Sequence, residues 1–208
     1  MNTTYKTLSI AAALAASLGL AGCAASSGSG TGMPMDHGSP GAMSTTMPGA
    51  GSTPSAGADH NQADVMFAQM MIPHHSQAVE MSDIILGKPD IDPRVTDLAD
   101  QISAAQGPEI DQMQSWLKQW GNPPMGGDHG GMAGMVSDAD MAALRDAQGV
   151  EAARLFLTHM IAHHEGAIDM AQEEVNDGRF EDAVQMARTI VITQEQEIKD
   201  MQKILDSL

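Results

Sequence analysis

The sequence predicts an all-α protein, a four-helix bundle assembled from two repeated helical hairpins. Three observations lead there. First, a segment is duplicated: Met70-Met71-Ile72-Pro73-His74-His75 returns 89 residues later as His159-Met160-Ile161-Ala162-His163-His164, and Gln106-x-x-Glu109-Ile110-x-x-Met113 returns as Gln194-x-x-Glu197-Ile198-x-x-Met201. Second, apolar residues in both copies recur at three- and four-residue spacing, the period of a helix face. Third, no stretch alternates apolar and polar residues as a half-buried strand does. Two hairpins with short turns pack by default as a four-helix bundle.

The N-terminus reads as an export signal. Lys6 gives a weak positive region, and the apolar run from Leu8 to Leu20 is too short to span a bilayer as a stable helix. Leu20-Ala21-Gly22-Cys23 then has the form of a lipoprotein cleavage site, with residues 1–22 removed and Cys23 acylated. Cys23 is the only cysteine, so no intramolecular disulfide can form. Acyl chains there would tether the protein to a membrane surface at the cell envelope. Residues 23–59 are rich in Gly, Ser, Ala, Thr and Pro and cannot bury enough apolar surface to offset chain entropy. They are predicted to be a disordered tether, one that carries Met33, Met35, His37, Met43 and Met47.

The bundle is expected over residues 60–208. Its first repeat, 60–120, opens with a helix from Asp64 through Phe67, Met70, Met71, His74, Ala78, Met81 and Ile85, ended by Gly87-Lys88-Pro89. Pro73 lies inside this helix and is expected to bend it or free a carbonyl. Asp92-Pro93 is a cap followed by proline at the first helical position. The second helix continues through Val95, Leu98, Ile102, Ile110, Met113 and Leu117, with a break expected at Gly107-Pro108. A loop over 121–136 holds Met125, His129, Met132 and Met135. The second repeat, 137–208, starts at the cap Ser137 with a short amphipathic lead-in through Met141 and Leu144, interrupted at Gly149. A helix follows from about Val150 to Asn176, then a last one from about Phe180 to the C-terminus.

Candidate chemistry sits in the duplicated motif. Adjacent helical residues diverge by about 100°, so His74 and His75 cannot point at one spot. Each has a thioether four residues earlier on its own face, Met70 before His74 and Met71 before His75. The second copy offers His159 before His163 and Met160 before His164. Donors four apart are about 6 Å apart along the axis and can chelate one ion. If the two histidine helices face each other, Met70/His74 and His159/His163 converge. Met81, and its counterpart Met170, belong to another ligand set or to the core, since methionine at helical spacing is also ordinary core filler. Glu109 and Glu197 recur in the repeat as candidate acceptors that orient the imidazoles, or as solvated or ion-paired surface. The methionines and histidines of the tether and loop are auxiliary candidates.

Thioether plus imidazole without thiolate selects Cu(I) or Ag(I) over Zn(II), Mg(II) or Ca(II), and it survives an oxidising compartment. With 18 methionines and three phenylalanines, sulfur does much of the core filling. The formal charge of −17 argues against nucleic acid, whose phosphates need Lys and Arg clusters. A di-iron oxidase site needs Glu-x-x-His, and the chain contains none. His164-Glu165 lacks the second histidine of the zinc-protease motif.

The segments Phe67-x-x-x-Met71-Ile72-Pro73-His74-His75-x-x-Ala78-Val79-x-Met81 and Phe156-x-x-x-Met160-Ile161-x-His163-His164-x-x-Ala167-Ile168-x-Met170 resemble the signature of the domain of unknown function 305 family, over about Asp64 to Leu205. That resemblance implies a ferritin-like helical bundle, often exported, and copper binding through Met71, His74, His75, Met160, His163 and His164. Ala162 departs from the proline of the first copy. The expected function is a membrane-anchored, extracytoplasmic binder of Cu(I), or of Ag(I), for buffering, resistance or transfer. The partners are then the metal ion and the membrane, with a homo-oligomer or a metal-exchange protein left open. The alternatives are a ferritin-like metal-dependent oxidoreductase and a structural lipoprotein whose Met and His only pack.

Overall fold

Residues 59–124 and 131–208 are described by a computed structural model of the chain. The export signal, Cys23, the tether methionines with His37, and Met125 and His129 of the loop lie outside the described residues. Five helices follow one another: α1 (Gln62–Leu86), α2 (Pro93–Trp120), α3 (Asp138–Asp146), α4 (Gly149–Asp177) and α5 (Glu181–Asp206), with no strand among the described residues. α1 pairs with α2 and α4 with α5 as two hairpins. The hairpins meet chiefly through α1 against α4, while α2 and α5 touch only slightly and α3 rests on α1 and α4. This is the four-helix bundle expected, with the lead-in as a fifth, short helix. Among the described residues no helix is long and apolar enough to cross a membrane.

The helix ends follow local chemistry. α1 starts two residues before Asp64 because Asn61 caps it. The Asn61 Oδ1 accepts from the backbone N–H of Ala63 at 2.8 Å and of Asp64 at 3.1 Å, and the Asp64 carboxylate accepts from the Asn61 N–H. Asn61→Ala removes the cap and is expected to lower stability by about 1 kcal/mol, read from the denaturant midpoint at unchanged slope. Asp92 caps α2 with Pro93 in its first turn, and Ser137 caps α3.

One expectation fails. α2 does not break at Gly107-Pro108 but runs unbroken from Pro93 to Trp120. Pro108 removes the hydrogen bond to the carbonyl of Ala104, and Ala104 and Pro108 are both exposed, so water takes the partner's place. α1 likewise continues through Pro73, which borders an open surface depression of about 400 Å³.

The interior divides into two apolar halves. One gathers Ala78, Met81, Ile85, Leu98, Ile102, Phe156, Leu157, Met160 and Met201. The other gathers Phe67, Met71, Met113, Trp116, Leu117, Ala167, Met170 and Ile190. Between them the chain places buried polar residues contributed in equal share by the two repeats: His74, His75 and Gln106 from one, His163, His164 and Gln194 from the other.

Candidate metal centre

The motif's register decides which side chains reach this polar belt. His74 and His75 lie mid-α1 and His163 and His164 mid-α4, the two helices whose contact joins the hairpins. All four imidazoles are buried, none more than 1% exposed. His74 and His163, equivalent in the repeat, meet with ring centroids 3.7 Å apart at 37°. Their neighbours turn outward to the flanking helices. His75 Nε2 is 2.8 Å from Glu109 Oε2 on α2, and His164 Nε2 is 2.8 Å from Glu197 Oε2 on α5.

These partners fix the ring tautomers. A carboxylate only accepts, so His75 and His164 carry their proton on Nε2 and donate it. His74 Nε2 likewise donates to the carbonyl of Ala133 at 3.2 Å. In all three rings the other nitrogen, Nδ1, is buried without a hydrogen-bond partner, as are both ring nitrogens of His163. Buried nitrogen lone pairs are ordinarily satisfied. A cluster that leaves them open has the donor chemistry of a metal site. Burial holds His74 down at about 3, helped by the charge of His75 and opposed by the Ala133 carbonyl. Burial, then the charges of His74, His164 and His75, holds His163 well below its ordinary range. The pair is therefore neutral at physiological pH, the form that coordinates.

Among the described residues no three His, Cys, Asp or Glu side chains are gathered closely enough to hold an ion by themselves. Further donors would have to be thioethers. Met71 and Met160 are fully enclosed, one in each apolar half, and Met81 is equally enclosed. Met70 and His159 are half-buried. Met70 shares a cavity with Met66 and Met170. Of the loop candidates, Met132 and Met135 are half-buried, and Met135 borders the depression beside Pro73.

A strap over residues 131–136 crosses the centre. Ala133 gives its carbonyl to His74, while Gln77 holds Val136 by two hydrogen bonds, Nε2 to the carbonyl at 2.9 Å and Oε1 from the N–H at 2.8 Å. On α4 the strap lies directly on Gly166. A Cβ on Gly166 would overlap the Ala133 carbonyl, and one on Gly134, at φ +79°, would come within 2.7 Å of the Ala162 carbonyl. Gly166→Ala is expected to push the strap off and cost about 1–3 kcal/mol, whereas Gly107→Ala, with nothing within 4 Å, should be neutral or stabilising. Equilibrium denaturation of the two variants checks both signs.

Sequence reasoning did not nominate Gln106, Gln194, Gln77 or Gly166. The first two were visible as members of the repeated Gln-x-x-Glu motif. The last two occupy one repeat position, and their divergence to Gln and Gly was the available signal.

A family model described as a domain of unknown function, DUF305, matches residues 64–205. The fold is similar to that of a DUF305 fragment from Deinococcus radiodurans, at 34% identity over 71% of this chain and 98% of that one, TM-score 0.66. A DUF305 protein from Streptomyces coelicolor, assigned as secreted, is 36% identical over 73% of this chain and 95% of that one, TM-score 0.67. CopM in a Cu(I)-bound form is 30% identical over 69% of this chain and 96% of that one, TM-score 0.60, and structures of CopM with Cu(II) and with Ag also match. No curated protein matches the chain.

Proposed function

The chain belongs to the DUF305 family, and from that premise we propose that it is an exported, membrane-anchored binder of soft metal, Cu(I) foremost and Ag(I) alongside it, that buffers or passes on the ion outside the cytoplasm. The observation that carries this reading is the belt of four buried histidines whose Nδ1 atoms have no hydrogen-bond partner. The copper- and silver-bound states of CopM support it. His74 and His163 would form the heart of the site, with His75 and His164 beside it and thioethers from the flanking methionines completing the coordination. The metal is cargo. The protein's own contribution is a set of donors shielded from water, with His74 and His163 held unprotonated by burial.

X-ray absorption at the copper edge of the Cu(I)-loaded chain tests the reading, with nitrogen and sulfur scatterers expected together. A protein that takes up no copper, or holds it with oxygen donors alone, overturns it. Glu109 and Glu197 would act by fixing the proton on Nε2, so that Nδ1 faces the ion. Glu109→Gln with Glu197→Gln is expected to weaken Cu(I) binding about 10-fold or more while leaving the stoichiometry intact, measured by competition with a chromophoric chelator.

A further inference from the structure

Beside the start of α1, a cavity of about 210 Å³ is lined by Met66 and Met70 from α1 and by Met170 and Glu174 from α4. Met66 is 47% exposed, so the cavity opens to water past a thioether. Behind it, Glu174 is only 1% exposed, and no N–H or hydroxyl group donates to its carboxyl oxygens, whose polar neighbour is the Asp64 carboxyl. Asp64, equally buried, accepts from the backbone N–H groups of Asn61, Arg179 and Phe180.

The duplication provides an internal control. By the 89-residue offset Glu174 corresponds to Ile85 and Asp64 to Ala153, both buried in the apolar half at the other end of the bundle. Met66 corresponds to Leu155 and Met70 to His159. At the Met66, Asp64 and Glu174 positions the other copy carries hydrocarbon, so this thioether and the two carboxyls are additions in one place only, while Met70 has a histidine counterpart and Met170 a methionine one, Met81.

We infer that Met66, Met70 and Met170 form a second site for a soft monovalent cation, Cu(I) or Ag(I), with the Asp64–Glu174 carboxyl pair behind it as counter-charge; this rests on the soft-metal reading above. Thioethers are neutral, so an ion entering a half-buried space among them needs a fixed negative charge nearby. Their softness excludes Mg(II) and Ca(II), which need oxygen ligands in number. Met70 is one helical turn, about 6 Å, from His74, so this outward-facing site lies next to the buried histidines.

Silver titration of the full chain with 13C-methyl-labelled methionine tests the inference. The methyl signals of Met66, Met70 and Met170 are expected to shift on Ag(I) addition. M66L/M170L, which keeps side-chain volume, should bind one equivalent fewer, or bind it at least about 10-fold more weakly. H74N/H163N should lose a different equivalent and keep these methyl shifts. If the Met66 and Met170 methyls do not respond, or M66L/M170L titrates as the parent while H74N/H163N does not, the second site is refuted and the histidine site stands. If neither variant alters the titration, both fall together.

Discussion

Replacing His74 and His163 together with asparagine is expected to lower Cu(I) affinity by more than about 100-fold, or about 2.7 kcal/mol. Removal of an outer group that only orients a metal-binding imidazole costs about 10- to 100-fold, and loss of two ligands should exceed that range. The two rings lie centroid to centroid at 3.7 Å, so the double variant removes two imidazoles from one place. Asparagine keeps an uncharged polar side chain in the belt, so the fold should persist. Chelator competition gives the constant and circular dichroism the integrity. A double variant that binds within about 3-fold of the parent would remove these residues from the site.

The metal-free protein should be most stable near pH 6.5 and lose stability on both sides. His74 titrates at about 3 when folded and near 6.5 when unfolded, and His163 is displaced in the same direction. Below pH 6.5 the unfolded chain thus binds protons that the folded chain refuses, and stability falls as pH falls. Glu174 runs the other way. Burial, then its hydrogen bond to Asp64 and the charge on Asp64, pushes it up to about 8 from 4.5. Between those values the folded chain holds a proton that the unfolded chain has lost, so stability falls as pH rises. From pH 6.5 to 4.5 the two histidines together outweigh the one carboxyl, so stability falls as pH falls. Below 4.5 the slope steepens. Urea denaturation across pH 4–8 should trace this asymmetric peak, and Glu174→Gln should flatten its alkaline side. A profile level from pH 4 to 8 would contradict the burial of these groups.

Most of the fold was legible because it is written twice. The duplicated apolar spacing marked both hairpins, and Asp92-Pro93 and Ser137 marked helix starts that the structure keeps. The Gly107-Pro108 break was misjudged because a helical proline is disruptive only where the freed carbonyl cannot reach water. At the centre, spacing alone established that His74 and His75 diverge. It could not show that the rings meeting across the interface would be His74 and His163, because that depends on the rotation of α1 against α4. Spacing grouped Met70 with His74, and it could not show that Met70 also borders a cavity shared with Met170. The strap was illegible for another reason. Its hold on the centre is the Ala133 carbonyl, which leaves no residue-type signature, and a contact with Gly166, whose only trace is that Gly166 and Gln77 differ at one repeat position.

The strap touches Gln77 in one half and Gly166 in the other, so it straddles the axis that relates them. Joining two hairpins end to end supplies a single linker, and an irregular peptide lying on a twofold cannot obey it. Two separate hairpins associating as a symmetric dimer could not accommodate this crossing without a collision between duplicate straps. The covalent fusion of the halves is thus what makes a cover over the paired histidines feasible, and the unequal residues beneath it are its geometric consequence.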